Sequence, residues 1–279
     1  MKNRLQKSLS LVFASLLVSI FLLSAVNAEE GKMPVTSSSK AALENYWKGI
    51  AFTDKLRFPD ARQYFEKAVA EDPNFAVAYL NLGTTLGSAK GLFENIERAK
   101  SVMDKASEAE RMWILGVEAG FVGDPQKQFE MYSKLVQNYP NDERARNLLG
   151  VYYFGQQEYE KAAEQFNTAA KIAPEYSQPY NMLGYSNRFL EKYDEAEKAF
   201  KKYIELIPDD PNPYDSYAEF LMKVGRFEES IEQYRNALKY DKTFAASYIG
   251  IATNYVFLGK YAEARKAAQE LLDNAVNDG

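Results

Sequence analysis

The chain has 279 residues, of which 46% are hydrophobic and 26% are charged, as is typical of a folded protein with a buried core. It contains neither cysteine nor histidine, which excludes disulfide bonds, thiol catalysis, histidine-ligated metal sites and catalysis by a histidine base. The formal net charge of −5 argues against nucleic acid as a partner, because such binding depends on clustered Lys and Arg that neutralise phosphates.

Residues 1–28 have the layout of a secretory signal peptide. Three basic residues precede a charge-free stretch that ends in small residues, Val26 and Ala28, at the −3 and −1 positions of a cleavage site. We therefore expect the mature chain to begin at Glu29 and the protein to be exported, to the periplasm or the outside of the cell. The alternative is an uncleaved membrane anchor, because residues 8–28 are just long enough to span a bilayer.

The segment that follows, residues 29–41, is polar and shows no periodicity. We predict that it is a flexible tether between the signal peptide and a folded array. Removal of residues 1–28 moves the net charge from −5 to about −8, because they hold three basic and no acidic side chains. An acidic surface favours solubility and does not identify a partner.

Beyond residue 41, residues of three kinds recur with a period of 33 or 34 residues. One row is small: Gly49, Gly83, Gly116, Gly150, Gly184, Ala218 and Ala252. A second row is proline: Pro73, Pro140, Pro174 and Pro208. A third row is aromatic: Phe65, Tyr132, Phe166, Phe200 and Tyr234. Three independent rows that share one period indicate a repeat protein.

Each repeat has the pattern of two amphipathic helices. In residues 143–176, one apolar stripe ends at Gly155 and a second ends before Pro174. The small residue of the repeat lets the two helices approach closely, and the aromatic residue fills the space between repeats. We expect a leucine at Gly184 to overpack this contact and an alanine there to be tolerated. One pair of helices cannot bury both of its faces, so stability must come from stacked neighbours.

This pattern resembles the tetratricopeptide repeat (TPR): Tyr180-x2-Leu183-Gly184 is followed by Tyr193, Ala196, Phe200 and Pro208. The resemblance implies an all-α fold, an α-solenoid that coils as a right-handed superhelix of about seven helix-turn-helix units. With the signal peptide, it points to an exported TPR protein of bacterial type. We number the units 1 to 7 and place them at residues 42–75, 76–108, 109–142, 143–176, 177–210, 211–244 and 245–278, so that the array covers 42–278.

Units 2 and 3 depart from the pattern. Asn95 and Gln128 replace the small residue of the second helix, and Ala99 replaces the aromatic residue in unit 2. Unit 2 also lacks its closing proline. We therefore predict one long helix from about Phe93 toward Arg111, with an altered superhelical pitch.

In TPR superhelices the concave wall is made mainly by the first helix of each unit, and the resemblance implies the same arrangement here. The second, fifth, ninth and twelfth residues of a unit then face the groove. The candidate partner-binding residues at these positions are Trp113, Arg144, Asn147, Gln178, Asn181, Tyr185, Arg188, Asp215 and Glu219. Asparagine carries both a donor and an acceptor, so Asn147 and Asn181 can pair with the backbone of an extended peptide without selecting its sequence.

Less specific interpretations of the same residues stay open. The two asparagines also suit an ordinary solvated helix face, and Trp113 also suits packing between helices. Chaperone-binding TPR domains clamp a C-terminal carboxylate with a pair of basic residues that is missing at these positions, so we do not expect that ligand. We expect none of the polar residues of the wall to be needed for folding.

The favoured function is a scaffold or adaptor of the cell envelope that binds a protein or an extended peptide in this groove. The alternative is a structural subunit of a larger envelope assembly, held by its convex and end surfaces. We expect no enzymatic activity, no cofactor and no metal ion. The acidic residues occupy repeat positions or solvated helix faces, and the glycines follow the repeat instead of a phosphate-binding loop.

Overall fold

The computed structural model describes residues 31–275, which form fourteen α-helices packed as consecutive pairs. The predicted signal peptide, residues 1–28, and the last residues of unit 7 lie outside this range. None of these fourteen helices is long and apolar enough to cross a bilayer. The helices are α1 (Lys40–Thr53), α2 (Phe58–Glu71), α3 (Ala76–Thr84), α4 (Ala89–Ser101), α5 (Glu108–Val122), α6 (Pro125–Asn138), α7 (Glu143–Gly155), α8 (Tyr159–Ile172), α9 (Gln178–Phe189), α10 (Tyr193–Leu206), α11 (Pro211–Lys223), α12 (Phe227–Tyr240), α13 (Ala245–Phe257) and α14 (Tyr261–Ala275).

The odd-numbered helix is the first, or A, helix of each unit, and the even-numbered helix is the second, or B, helix. Each A helix packs against the B helix of its own unit, and that B helix packs against the A helix of the next unit. A helices of successive units also touch, as α7 touches α9, α9 touches α11 and α11 touches α13. The A helices of units 4 to 7 therefore form a continuous wall, and the described part of the chain is an all-α solenoid, as the sequence predicted.

The predicted long helix in unit 2 is wrong. Helix α4 ends at Ser101, a short 3-10 turn covers Met103–Lys105, and α5 begins at Glu108. The Ser107 hydroxyl accepts a hydrogen bond from the Glu110 backbone N–H, and the Glu110 carboxylate accepts one from the Ser107 backbone N–H. This reciprocal capping box satisfies two helix-end donors, so it starts a new helix where a closing proline is missing.

The row of glycines packs directly against the row of aromatic residues. A Cβ atom added to Gly150 would lie 2.6 Å from Cε1 of Phe166, and one added to Gly184 would lie 2.7 Å from Cε1 of Phe200. Both rings are fully buried. An alanine has no room at these contacts, so the expectation that alanine at Gly184 is tolerated needs correction.

A carboxylate of α10 ties unit 5 to unit 6. The hydroxyl of Tyr217 donates to Glu197 over 2.6 Å, and the guanidinium of Arg226 donates to it over 2.8 Å. Lys201, one turn along α10, lies 2.8 Å from the same carboxylate. Burial raises the pKa of Glu197, but the hydrogen bonds from these three residues together lower it to about 2.

Contacts between distant units bring the first unit against the fourth and fifth. The guanidinium of Arg144, at the start of α7, makes two hydrogen bonds to the Asp54 carboxylate at the end of α1, of 3.2 and 2.9 Å. It also lies over the ring of Tyr176, 5.0 Å from the centroid. The Ser177 hydroxyl donates to the Asp54 backbone carbonyl. The N-terminal half of the solenoid therefore closes on itself.

Residues 31–39, which we call the N-terminal segment, differ from the flexible tether predicted over 29–41. Their backbone N–H groups donate to carboxylates of units 1 and 3, and Lys32 pairs with Glu143 of unit 4. Met33 and Val35 pack against two buried apolar clusters. Lys40 already belongs to α1, because Ser39 caps that helix. Backbone hydrogen bonds of this kind require no sequence periodicity, so the sequence did not predict them.

Candidate partner-binding wall

In the row of fifth positions, exposure increases from the N-terminal to the C-terminal units. Tyr46 and Leu80 are buried in the core and Asn147 is only 8% exposed. Asp215 is half-buried, and Ile249 is 57% exposed. Closure of the first turn buries the early part of the row. In this row, a ligand therefore finds accessible side chains mainly in units 5 to 7.

Trp113, Arg144 and Asn147 belong to units 3 and 4 and do not line this accessible part. Arg144 is engaged with Asp54, as described above. Trp113 is partly buried and packs against the two apolar clusters that Val35 and Met33 also touch. Gln178 begins α9, and its side-chain oxygen accepts a long hydrogen bond of 3.4 Å from the Tyr176 hydroxyl.

The asparagine row has unusual hydrogen bonding. Among the described residues, the side-chain oxygens of Asn147 and Asn181 are buried and have no hydrogen-bond partner. A buried acceptor without a donor costs about 1–3 kcal/mol of stability. The two residues thus occupy equivalent positions in units 4 and 5 and carry the same local cost. Because this cost opposes folding, both side chains are candidates for a role other than folding.

The structure brings Tyr185, Arg188 and Glu219 together. The Tyr185 hydroxyl donates to Oε2 of Glu219 over 3.0 Å, and Arg188 donates to Oε1 over 2.7 Å. Burial, and then the charge of Glu219, raise the pKa of the Tyr185 hydroxyl. These contacts join α9 to α11 and fix the orientation of all three side chains. They form a polar surface with little freedom left to lose on binding.

Asp215 continues this surface toward unit 7. Its carboxylate accepts a hydrogen bond of 2.7 Å from the Ser247 hydroxyl on α13. Burial raises the pKa of Asp215, and the hydrogen bond from Ser247 partly offsets that effect. Sequence reasoning missed Ser247 and Asp54. Ser247 lies at the third position of its unit, and no local pattern marks Asp54, whose partner is 90 residues away.

No metal site accompanies the wall: within residues 31–275 no group of three or more acidic side chains is arranged to hold a metal ion. A cleft of about 350 Å³ opens between units 2, 3 and 4. Its lining includes Val117, Gly120 and Val151, which occupy ninth and twelfth positions of units 3 and 4, so the cleft belongs to the wall.

Models of the tetratricopeptide repeat match residues 143–176, 177–210 and 212–244, which correspond to units 4, 5 and 6. The chain contains tetratricopeptide repeats. The other helix pairs continue the same packing, so the described residues form an all-α TPR solenoid. Among curated protein sequences, none matches the chain.

Solved structures agree with this fold. A TPR protein from Parabacteroides merdae ATCC 43184 is 18% identical, with a TM-score of 0.54 over 86% of this chain and 95% of that chain. A MamA fragment from Desulfovibrio magneticus RS-1 is 14% identical, with a TM-score of 0.55 over 62% and 99% of the two chains. A chain of the APC/C hetero-tetramer Cut9-Hcn1 is 18% identical, with a TM-score of 0.56 over 85% of this chain and 45% of that chain. At these identities the similarity shows the fold, and a TPR fold supports a scaffold for protein–protein interaction.

Proposed function

We propose that this protein is an exported, non-enzymatic scaffold that binds an extended segment of a protein partner along the A helices of units 5 to 7. The increase in exposure along the row of fifth positions carries the proposal. Asn181, Asp215 and Ile249 occupy equivalent positions in three successive units and remain at least partly exposed. An extended peptide can therefore contact one side chain of the row in each unit.

Both polar and apolar groups are available to such a ligand. The cluster of Tyr185, Arg188 and Glu219 is already ordered, and Asp215 accepts from Ser247. Ile249 and Val256 on α13 add two exposed apolar side chains at wall positions. We propose a partner segment that presents backbone donors to the polar part and apolar side chains to α13. Each hydrogen bond would contribute about 0.5–1.5 kcal/mol after exchange with water.

The experiment uses two matched pairs of variants of the tagged protein. Each variant is purified from its own cells, and the partner that is purified with it is compared between the members of a pair. Ile249→Ser on the wall is matched by Leu272→Ser on α14, because these side chains are 57% and 59% exposed. Asn181→Ala is matched by Asn167→Ala, an exposed asparagine of α8. We expect the two wall variants to lose the partner and the two matched variants to keep it, with helical circular dichroism unchanged.

The alternative, a structural subunit of an envelope assembly, gives the opposite pattern. Leu272 lies on the last helix, at the end of the solenoid, so an assembly held by end surfaces loses the partner in Leu272→Ser. The same assembly keeps its partner in Ile249→Ser. That outcome would replace groove binding with end-surface assembly.

Export is a separate part of the proposal, and it rests on the sequence of residues 1–28. Cleavage after Ala28 gives a protein that begins at Glu29 in the periplasm or outside the cell. Sequencing the N-terminus of the protein from fractionated cells tests this. An intact residue 1 or 2 in the membrane fraction would favour an anchor formed by residues 8–28.

A further inference from the structure

The N-terminal segment lies in an extended path across the N-terminal ends of α3, α5 and α7. It contacts the N-cap of α7 through Met33, the first turn of α5 through Thr36, and the loop that leads into α3 through Ser38. The segment therefore runs opposite to the direction of the array. It is a peptide bound in cis, at an edge of the solenoid distinct from the wall of units 5 to 7.

Three buried carboxylates divide their two oxygens in the same way. Oδ1 of Asp142 accepts from Ala145 N–H at the start of α7 over 2.8 Å, and Oδ2 accepts from Met33 N–H over 2.9 Å. Oε2 of Glu110 accepts from Ser107 N–H over 2.8 Å, and Oε1 accepts from Thr36 N–H over 2.9 Å. One oxygen of each carboxylate thus belongs to its own helix and the other to the segment.

Asp72 repeats this arrangement at the start of unit 2. Its Oδ1 accepts from Asn74 N–H over 3.0 Å, while Oδ2 accepts from Ser38 N–H over 2.9 Å. The hydroxyls of Ser37 and Ser38 donate to the same oxygen. Exposure of Asp72, Glu110 and Asp142 is 4%, 2% and 4%, so their second oxygens depend on the segment for donors.

These contacts recognise the backbone of the segment and two of its apolar side chains. Every residue except proline offers a backbone N–H, so the three carboxylates recognise an extended chain and not a sequence. The side chains of Met33 and Val35, separated by one residue, reach the two apolar clusters. Helix-cap hydrogen bonds orient Asp142 and Glu110, and the Asn74 N–H in the loop before α3 orients Asp72, so residues of the array itself hold all three carboxylates.

We propose that the N-terminal ends of α3, α5 and α7 form a second binding site, for an extended peptide of a partner protein with two apolar side chains separated by one residue. Residues 31–39 occupy this site in cis, and a partner peptide binds by displacing them. The site lies outside the wall of units 5 to 7, so it stands or fails independently of the proposed function.

The first experiment measures binding of a fluorescent synthetic peptide with the sequence of residues 31–39 to the purified full chain. A segment tethered next to its site competes at an effective concentration on the order of millimolar. We expect the variant Met33→Asp with Val35→Asp, which releases the segment, to bind the peptide about ten-fold or more tightly than the wild type. Thr36→Ala is the matched control, because only the backbone of Thr36 is used, and it should bind like the wild type.

The second step changes the site and spares the helix caps. Asp142→Asn and Glu110→Gln each keep an oxygen for the cap but replace the oxygen that faces the segment by an NH2 group, which cannot accept. Added to the released variant, the two changes should reduce peptide affinity about ten-fold or more, at about 1.4 kcal/mol for each factor of ten. Binding that survives both changes would place the peptide elsewhere and overturn the proposal.

A third measurement uses the wild-type chain, in case the released variant does not fold. Hydrogen exchange of the amides of Met33, Thr36 and Ser38 is followed with and without millimolar peptide. We expect faster exchange at these amides when the peptide is present. Unchanged exchange, together with no gain in peptide binding by the released variant, means that the segment is a fixed part of the fold and that no second site exists.

Discussion

The contact between Gly184 and Phe200 gives the sharpest test of the repeat packing. Carbon atoms in ordinary contact lie about 3.5–4.0 Å apart, whereas a Cβ atom at Gly184 would lie 2.7 Å from Cε1 and Cζ of Phe200. The ring would have to move by about 1 Å. It is fully buried between Tyr185, 5.2 Å away in a T-shaped arrangement, and Phe220, 5.6 Å away.

We therefore expect Gly184→Ala to destabilise the protein. Overpacking costs about 1–3 kcal/mol, and the better helix propensity of alanine returns about 1 kcal/mol. The net loss of up to about 2 kcal/mol should lower the Tm by up to about 8 °C for a chain of this size. Thermal unfolding followed by circular dichroism measures it.

The matched control is Gly155→Ala at the end of α7, where an added Cβ meets nothing within 4 Å. There we expect a gain of up to about 1 kcal/mol, because only the backbone entropy of glycine is removed. Phe200→Leu should make room at Gly184, so a double-mutant cycle should show a coupling of about 0.5–3 kcal/mol. Equal melting curves for the two alanine variants, or no coupling, would refute the packing argument.

Three further predictions follow from buried polar groups. Asp54→Ala leaves the Arg144 guanidinium without its carboxylate partner. The side chains of Arg144 and Asp54 are 20% and 24% exposed, so we expect the free energy of unfolding, measured in urea, to fall by about 2–3 kcal/mol. X-ray scattering should show a larger radius of gyration. The pKa of Glu197 falls from 4.5 to about 2 on folding, so its carboxylate stabilises the protein above pH 4.5, and this contribution is lost between about pH 4.5 and 2. As the pH is lowered through that window, the Tm of Glu197→Gln should therefore fall less steeply than the Tm of the wild type. Asn147→Leu removes a buried acceptor that has no donor among the described residues, and should stabilise the protein by about 1 kcal/mol in the same melts.

The sequence predicted the helix pairs well because the determinants are local and periodic. The pair of Gly150 and Phe166 recurs with one spacing, and units 1, 3, 4 and 5 bury that contact in the same way. The sequence also indicates where α5 begins, since Ser107 and Glu110 have the spacing of a capping box. The missing proline favours one continuous helix in unit 2, but the capping box starts a new helix there.

The candidate site depended on tertiary structure to a greater degree. The repeat register assigned one position to Asn147, Asn181 and Ile249, but it did not determine that the first is buried and the last exposed. That difference arises from closure of the first turn by Arg144 and Asp54, which are 90 residues apart. A single contact at that separation leaves no periodic trace in a sequence.

By itself, then, the sequence determined the class of fold, the repeat boundaries in units 4 to 6 and the face of each helix that packs. Only the tertiary structure decided which part of the wall stays open and where residues 31–39 lie. The physical reason is the kind of interaction involved. Side-chain packing within a unit repeats with the sequence, whereas the N–H groups of Met33, Thr36 and Ser38 are present in almost any sequence and find their acceptors only in the folded solenoid.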